Sequence, residues 1–337
     1  MTSFTFNIMK IKFNYIFLAV IIFFFESSSQ AQRSPLEFLG LTPGRVQTSF
    51  DYRLQGFNDR SVKQQNADLA FIQHELNLTV PLQQNEQSNF TIFSGLSLMD
   101  IQSNAMLSDA AVKLPDKLWD INLGGSYQYN FDDDKAAGLI ISAGSPSDKP
   151  FDQADVIAVN VTGTLKHPAR GNDTWLFFLN YATNREFLPN IPIPGFAYFW
   201  NPNPKLKALV GIPFASAEYE FTDDLSLKAS YLIPRTIHTE VNFQLTDPVS
   251  LYSGFHWQNQ RFFRAGRDDK DERLFYYEKK LSGGIRLNLN NNITLDIFSG
   301  YAFDRFFFEG EDYDDRSKNR IAFRDGFFAG IQSVIRF

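Results

Sequence analysis

The last twelve residues, Gly326 to Phe337, constrain this chain more than any other stretch. Counting back by twos gives Phe337, Ile335, Ser333, Ile331, Ala329 and Phe327 on one face. Arg336, Val334, Gln332, Gly330 and Phe328 make the other. A period of two is a strand, and here its two faces suit different surroundings. In water such an ending would expose an aromatic ring and a row of unpaired backbone groups. Both problems vanish where the sheet closes on itself inside a membrane.

The ending resembles the C-terminal strand of bacterial outer-membrane β-barrels. There the terminal aromatic after alternating apolar residues implies a signal read by the barrel insertion machinery, which makes Phe337 the assembly signal. Composition agrees with strands rather than helices. The chain has 36 phenylalanines and no cysteine, yet a mean hydropathy of -0.24. A helical membrane protein would need several apolar runs of about 20 residues. Here one run stands out, Tyr15 to Phe25, preceded by Lys10 and Lys12 and followed by Ser27-Ser28-Ser29-Gln30-Ala31. A basic start, a short apolar core and a small-x-Ala site describe a signal peptide over 1–31, with Met9 the expected start. Residues 32–44 then form a short periplasmic segment, and 45–337 the barrel.

Removing the leader takes away two lysines and one glutamate, leaving a net charge of about -7. That balance argues against nucleic acid as a partner. Without cysteine there is no lipid attachment, disulfide or thiolate metal site.

Alternation recurs along the chain. Val46, Thr48, Phe50, Tyr52 and Leu54 oppose Gln47, Ser49, Asp51, Arg53 and Gln55. Ala70, Ile72, Leu76, Leu78 and Val80 oppose Gln73, Glu75, Asn77 and Thr79, with His74 on the apolar side. Ile237, Thr239, Val241, Phe243 and Leu245 oppose His238, Glu240, Asn242 and Gln244. About fourteen such segments fit, with 12 or 16 as alternatives, each long enough for a tilted membrane strand. Short turns such as Asp132-Asp133-Asp134-Lys135 and Thr246-Asp247-Pro248 alternate with longer polar connections such as 102–116, 185–205, 261–273 and 304–324. Short periplasmic turns and long outer loops are the asymmetry of outer-membrane barrels, and an even count puts both termini in the periplasm. Aromatics at Tyr127-Tyr129-Phe131, Phe275-Tyr276-Tyr277 and Tyr301 to Phe308 read as interfacial girdles.

The segment Leu188 to Pro204 holds five prolines, which reads as a structured loop narrowing the barrel mouth rather than a ladder strand. With Ala208 to Phe214, the Gln30-Ala31-Gln32 export site and the terminal phenylalanine, it resembles an uncharacterised family of Bacteroidetes-type outer-membrane β-barrels. That resemblance implies no activity and no catalytic residue.

Lumen-facing candidates are Arg45, Arg53, Glu75, His238, Glu240, His256, Arg286 and Asp296. A solvated or ion-paired wall explains them most simply, because alternation alone demands polar residues there. His238 beside Glu240, or His238 with His256, would also suit a general base or a metal. No serine elbow or H-E-x-x-H helix accompanies them, so neither catalytic nor metal residues are assigned and no cofactor is expected. The acidic stretch Glu309 to Asp315 lacks the ordered spacing of a calcium loop.

The sequence therefore describes an all-β, transmembrane, antiparallel up-and-down barrel in contact with outer-membrane lipid. A pore or transporter for small solutes is the leading function. A structural or surface-interaction barrel with a side-chain-filled lumen is the alternative, and a lumenal hydrolase carries low weight. Deleting Phe337 should lower the yield of assembled barrel in the outer membrane, read by heat-modifiable gel migration; normal assembly of the truncation would remove the role given to the terminal ring.

Overall fold

A computed structural model of the chain describes residues 45–107, 112–132, 135–185, 188–232, 235–267 and 269–337. The expected signal peptide and the segment 32–44 lie outside these. In chain order the strands are β1 (Ser49–Ser61), β2 (Asp68–Gln84), β3 (Ser88–Ser103), β4 (Met106–Leu107), β5 (Val112–Lys113), β6 (Lys117–Asn130), β7 (Ala136–Ser147), β8 (Ala158–Pro168), β9 (Thr174–Ala182) and β10 (Ile193–Asn203). They continue with β11 (Leu206–Ile212), β12 (Phe214–Glu220), β13 (Leu225–Leu232), β14 (Thr236–Thr246), β15 (Val249–Phe262), β16 (Arg273–Asn290), β17 (Ile293–Gly310), β18 (Ile321–Phe323) and β19 (Gly326–Arg336).

Among the described residues, sixteen of these strands close into one antiparallel sheet in which each pairs with its neighbour along the chain. β1 seals the ring: Gly56 stands opposite Ile72 of β2 and Ala329 of β19. β4 and β5 form a separate hairpin in the connection between β3 and β6, and β18 extends the sheet beside β17.

The count is sixteen, one of the two alternatives to fourteen, and both additional strands come from the proline-rich region. β10 pairs with β9 and β11 and is no loop. Its prolines occupy places where a missing N–H costs little. Pro194 pairs with β9 beyond the last residue of β11, Pro202 lies at a register shift, and Pro204 is in the turn. β11 and β12, expected as one segment, are a hairpin of two 7-residue strands meeting at Pro213.

Alternation sorts the strands as read. Val241, 44% exposed, points outward among Ile237, Thr239, Phe243 and Leu245, while Asn242 points into the lumen. The terminal ring of Phe337 lies on the outer face, and its N–H donates to Thr48 across the seam at 2.9 Å. His74 is on the lipid side, where the Tyr52 hydroxyl meets its Nδ1 at 2.9 Å. That contact lets a polar ring occupy the apolar face.

The wall is uneven. β16 and β17 have 18 residues each, whereas β11 and β12 have 7. At roughly 3.3 Å per residue, the tall hairpin is more than twice the height of the short one. The tall strands and their connections carry an apolar core inside the long-loop half of the lumen. Leu69, Phe71, Met99, Leu118, Leu274, Tyr276, Phe307, Ile321 and Phe323 are almost fully buried there. Inward side chains in that half pack on one another and not on water, as the side-chain-filled alternative expected of the lumen there.

The aromatic clusters divide similarly. Tyr127 and Phe131 are exposed near the short turns, as a girdle requires. Phe275, Tyr277, Phe306 and Phe308 are instead buried against one another, with Tyr313 of the following loop packed on them. Val241→Arg should cost roughly 2 to 4 kcal/mol while Asn242→Arg stays mild, measured by urea unfolding in lipid vesicles. Equal tolerance would contradict this register.

Candidate functional site

Pairing sets the lumenal charges in a row around the barrel. Lys207 faces Glu218, Glu218 faces Lys228, and Lys228 faces Glu240 across successive strands. Farther round, Arg286 faces Asp296, then come Gln332, Arg53, Glu75, Ser97 and Asp120. Side chains directly opposite in a ladder are close enough to pair, and opposite signs mostly alternate along this row.

The tightest knot is Arg286, which ties together three strands of one side of the barrel, β14, β16 and β17. Its guanidinium donates to Glu240 on β14 at 3.0 Å and to Asp296 on β17 at 3.1 Å. A forked donor between two carboxylates is what arginine offers and lysine does not. Lys228 reaches Glu218 at 3.1 Å, Gln332 donates to Asp51 at 2.9 Å, and Arg53 lies 4.6 Å over the Phe298 ring. His238 and His256, opposite each other on β14 and β15, bring their Nδ1 atoms to 3.1 Å.

These groups line a cavity of about 1110 Å³ that runs from the short-turn residues Gly171, Asn172 and Asp173 up to His256 and Phe298. One wall is largely apolar, with Leu176, Phe199 and Leu209. The whole chain is acidic at -6, yet six basic side chains against four carboxylates line the cavity. Lys166, Lys207 and Arg336 have no ion pair among the described residues.

Above the cavity, described side chains pack across the lumen. Glu278 receives Lys280 at 2.6 Å, Gln258 at 2.7 Å and the Tyr276 hydroxyl at 2.5 Å, with Arg305 at 3.8 Å. Burying these charges is tolerable because each carboxylate oxygen has a donor. The mouth is then bridged from side to side. β7 and β15 are the fifth and thirteenth of sixteen barrel strands, and so stand on opposite walls. Nevertheless the Phe263 N–H donates to Pro146 at 2.7 Å and Ala265 N–H to the Asp148 carboxylate at 2.7 Å. Phe263 packs with Val156 and Ala158, Arg264 reaches Glu309 at 2.7 Å, and Arg273 donates to Asn184 at 3.0 Å. Residues 263–265, not the proline-rich stretch, thus bridge the mouth.

Of the residues singled out in the sequence, Arg53, Glu75, His238, Glu240, His256, Arg286 and Asp296 all face the lumen. Glu240, Arg286 and Asp296 come together, as do the two histidines. Glu75 lies higher, where it accepts from Gln73 at 3.0 Å. Arg45 does not belong to the set: it precedes β1 and is exposed. Lys166, Lys207 and the plug residues Arg305 and Glu309 were not foreseen. The first two sit near the ends of β8 and β11, in registered ladder positions, and the last two pair only through the fold.

The fold and this lumen define a transmembrane β-barrel of the outer-membrane type. The sequence matches no protein-family model and no curated relative. Among solved structures, a FadL homologue from Pseudomonas aeruginosa is similar at 14% identity, covering 93% of this chain and 95% of that one, with a TM-score of 0.40. The Pseudomonas putida toluene transporter TodX is similar at 9% identity, with 94% and 95% covered and a TM-score of 0.38. The translocator domain of autotransporter NalP from Neisseria meningitidis has 11% identity, 88% and 91% covered and a TM-score of 0.32. Scores of this size carry no weight for function.

Arg286→Met keeps bulk but leaves Glu240 and Asp296 facing each other without a cation. The arginine side chain is 28% exposed and the carboxylates 16% and 9%, so the loss should be about 2 to 4 kcal/mol, near the lower range for breaking a buried pair. Urea unfolding in vesicles reads it, and an unchanged midpoint would show the knot to be energetically idle.

Proposed function

We propose that the protein is an outer-membrane β-barrel that admits small solutes to a chamber open toward the periplasm and closed toward the exterior by the bridged mouth. The observation that carries this is the cavity of about 1110 Å³ beneath a packed plug, entered past the short turns. Short turns face the periplasm in bacterial barrels, which supports this orientation with both termini on that side. Membership of the Bacteroidetes-type barrel family belongs to the same reading, supported by the segment 188–214 and the terminal Phe337. The excess of basic side chains favours anions. No catalysis is assigned: Glu240, the carboxylate nearest His238 along its face, is engaged by Arg286.

The packed plug favours a second reading, a barrel through which nothing passes. Replacing 264–271 with a short Gly-Ser link separates the two in planar bilayers. The native barrel should be nearly silent, and the shortened one should conduct with a reversal potential favouring chloride over potassium. Silence in both folded proteins would leave the structural reading standing.

A further inference from the structure

His238 and His256 are the feature of the chamber that charge balance does not explain. They sit on adjacent strands in direct register, both line the cavity, and their Nδ1 atoms are 3.1 Å apart with ring planes at 87°. A first-row metal ion binds imidazole nitrogen at about 2.0 to 2.1 Å. Placed that far from both nitrogens across the 3.1 Å gap, it would subtend an N–metal–N angle of about 95 to 102°. That lies between the square-planar and tetrahedral values that such ions adopt. At this separation the rings share an N–H···N hydrogen bond, and a metal ion replacing the shared proton would find both nitrogens at chelate spacing, held by the ladder.

Surrounding charge does not forbid a cation. Lys228 is held by Glu218, Arg286 by Glu240 and Asp296, and Lys280 by Glu278, while Arg53 lies over the Phe298 ring. Glu240, next along the face from His238, is shared with Arg286. Among the described residues no group of three or more His, Cys, Asp or Glu side chains is placed to hold a metal, so the protein provides two donors.

We propose that His238 and His256 bind a first-row transition-metal ion at the ceiling of the chamber, leaving its remaining positions open to water or to a chelating solute. Imidazole pairs suit copper, nickel and zinc, with copper(II) the tightest. The site does not depend on whether the barrel conducts.

The test is a Cu²⁺ titration of the tag-free, refolded barrel followed by electron paramagnetic resonance, with heat-modifiable migration confirming that each variant folds. One ion per barrel with coupling to two nitrogens is expected. His238→Ala and His256→Ala should each reduce the coupling to one nitrogen and weaken binding by about tenfold or more. His74→Ala, on the lipid face, should change nothing. No binding by the native barrel, or equal binding by native and both lumenal variants, would overturn the proposal.

Discussion

Everything in this structure depends on the pairing of β1 with β19. Hydrocarbon offers no hydrogen-bond partner, so a sheet that spans a membrane must satisfy its own edges. The strand Gly326–Arg336 does this by meeting β1 over nine consecutive residue pairs, from Ser49 opposite Arg336 to Phe57 opposite Phe328. Once the ring is closed, alternation has no freedom left: a shift by one residue would turn Ile331 and Ile335 into the lumen and Gln332 and Arg336 into lipid.

The same constraint generates the site. Each strand must present polar residues inward where water enters, and register then decides which of them meet. Arg286 finds Asp296 directly across one ladder and Glu240 from farther round the wall. Where the strands rise above the apolar belt, as in β16 and β17, inward residues switch to Leu274, Tyr276, Ala302 and Phe307 and pack into a core. The barrel is thus a water-accessible chamber at one end and a compact, globular-like plug at the other.

Much of this was legible in the sequence, and the limits have physical causes. Period-two alternation singles out Arg53, His238, Glu240, His256, Arg286 and Asp296, which line the cavity, because a two-sided environment writes itself into every strand. Arg45 lies before the first ladder pair, where alternation has no meaning. The proline-rich strand β10 was hidden because prolines argue against a ladder in general. Here they occupy an overhang, a register shift and a turn. The bridged mouth was invisible for another reason: Phe263 and Pro146 are far apart in the chain, and nothing in either segment announces the other. The histidine pair stood halfway, since both residues were named but their contact follows only from the register of β14 on β15.

The central claim is that the lumen is open from the short-turn end and shut at the other. Because the chain lacks cysteine, a single Ser282→Cys at the chamber ceiling reports access directly. A membrane-impermeant maleimide should label it only after the outer membrane of cells has been permeabilised, whereas Asp314→Cys on the exposed outer loop should be labelled in intact cells. Labelling of Ser282→Cys in intact cells at the rate of the loop control would contradict the account.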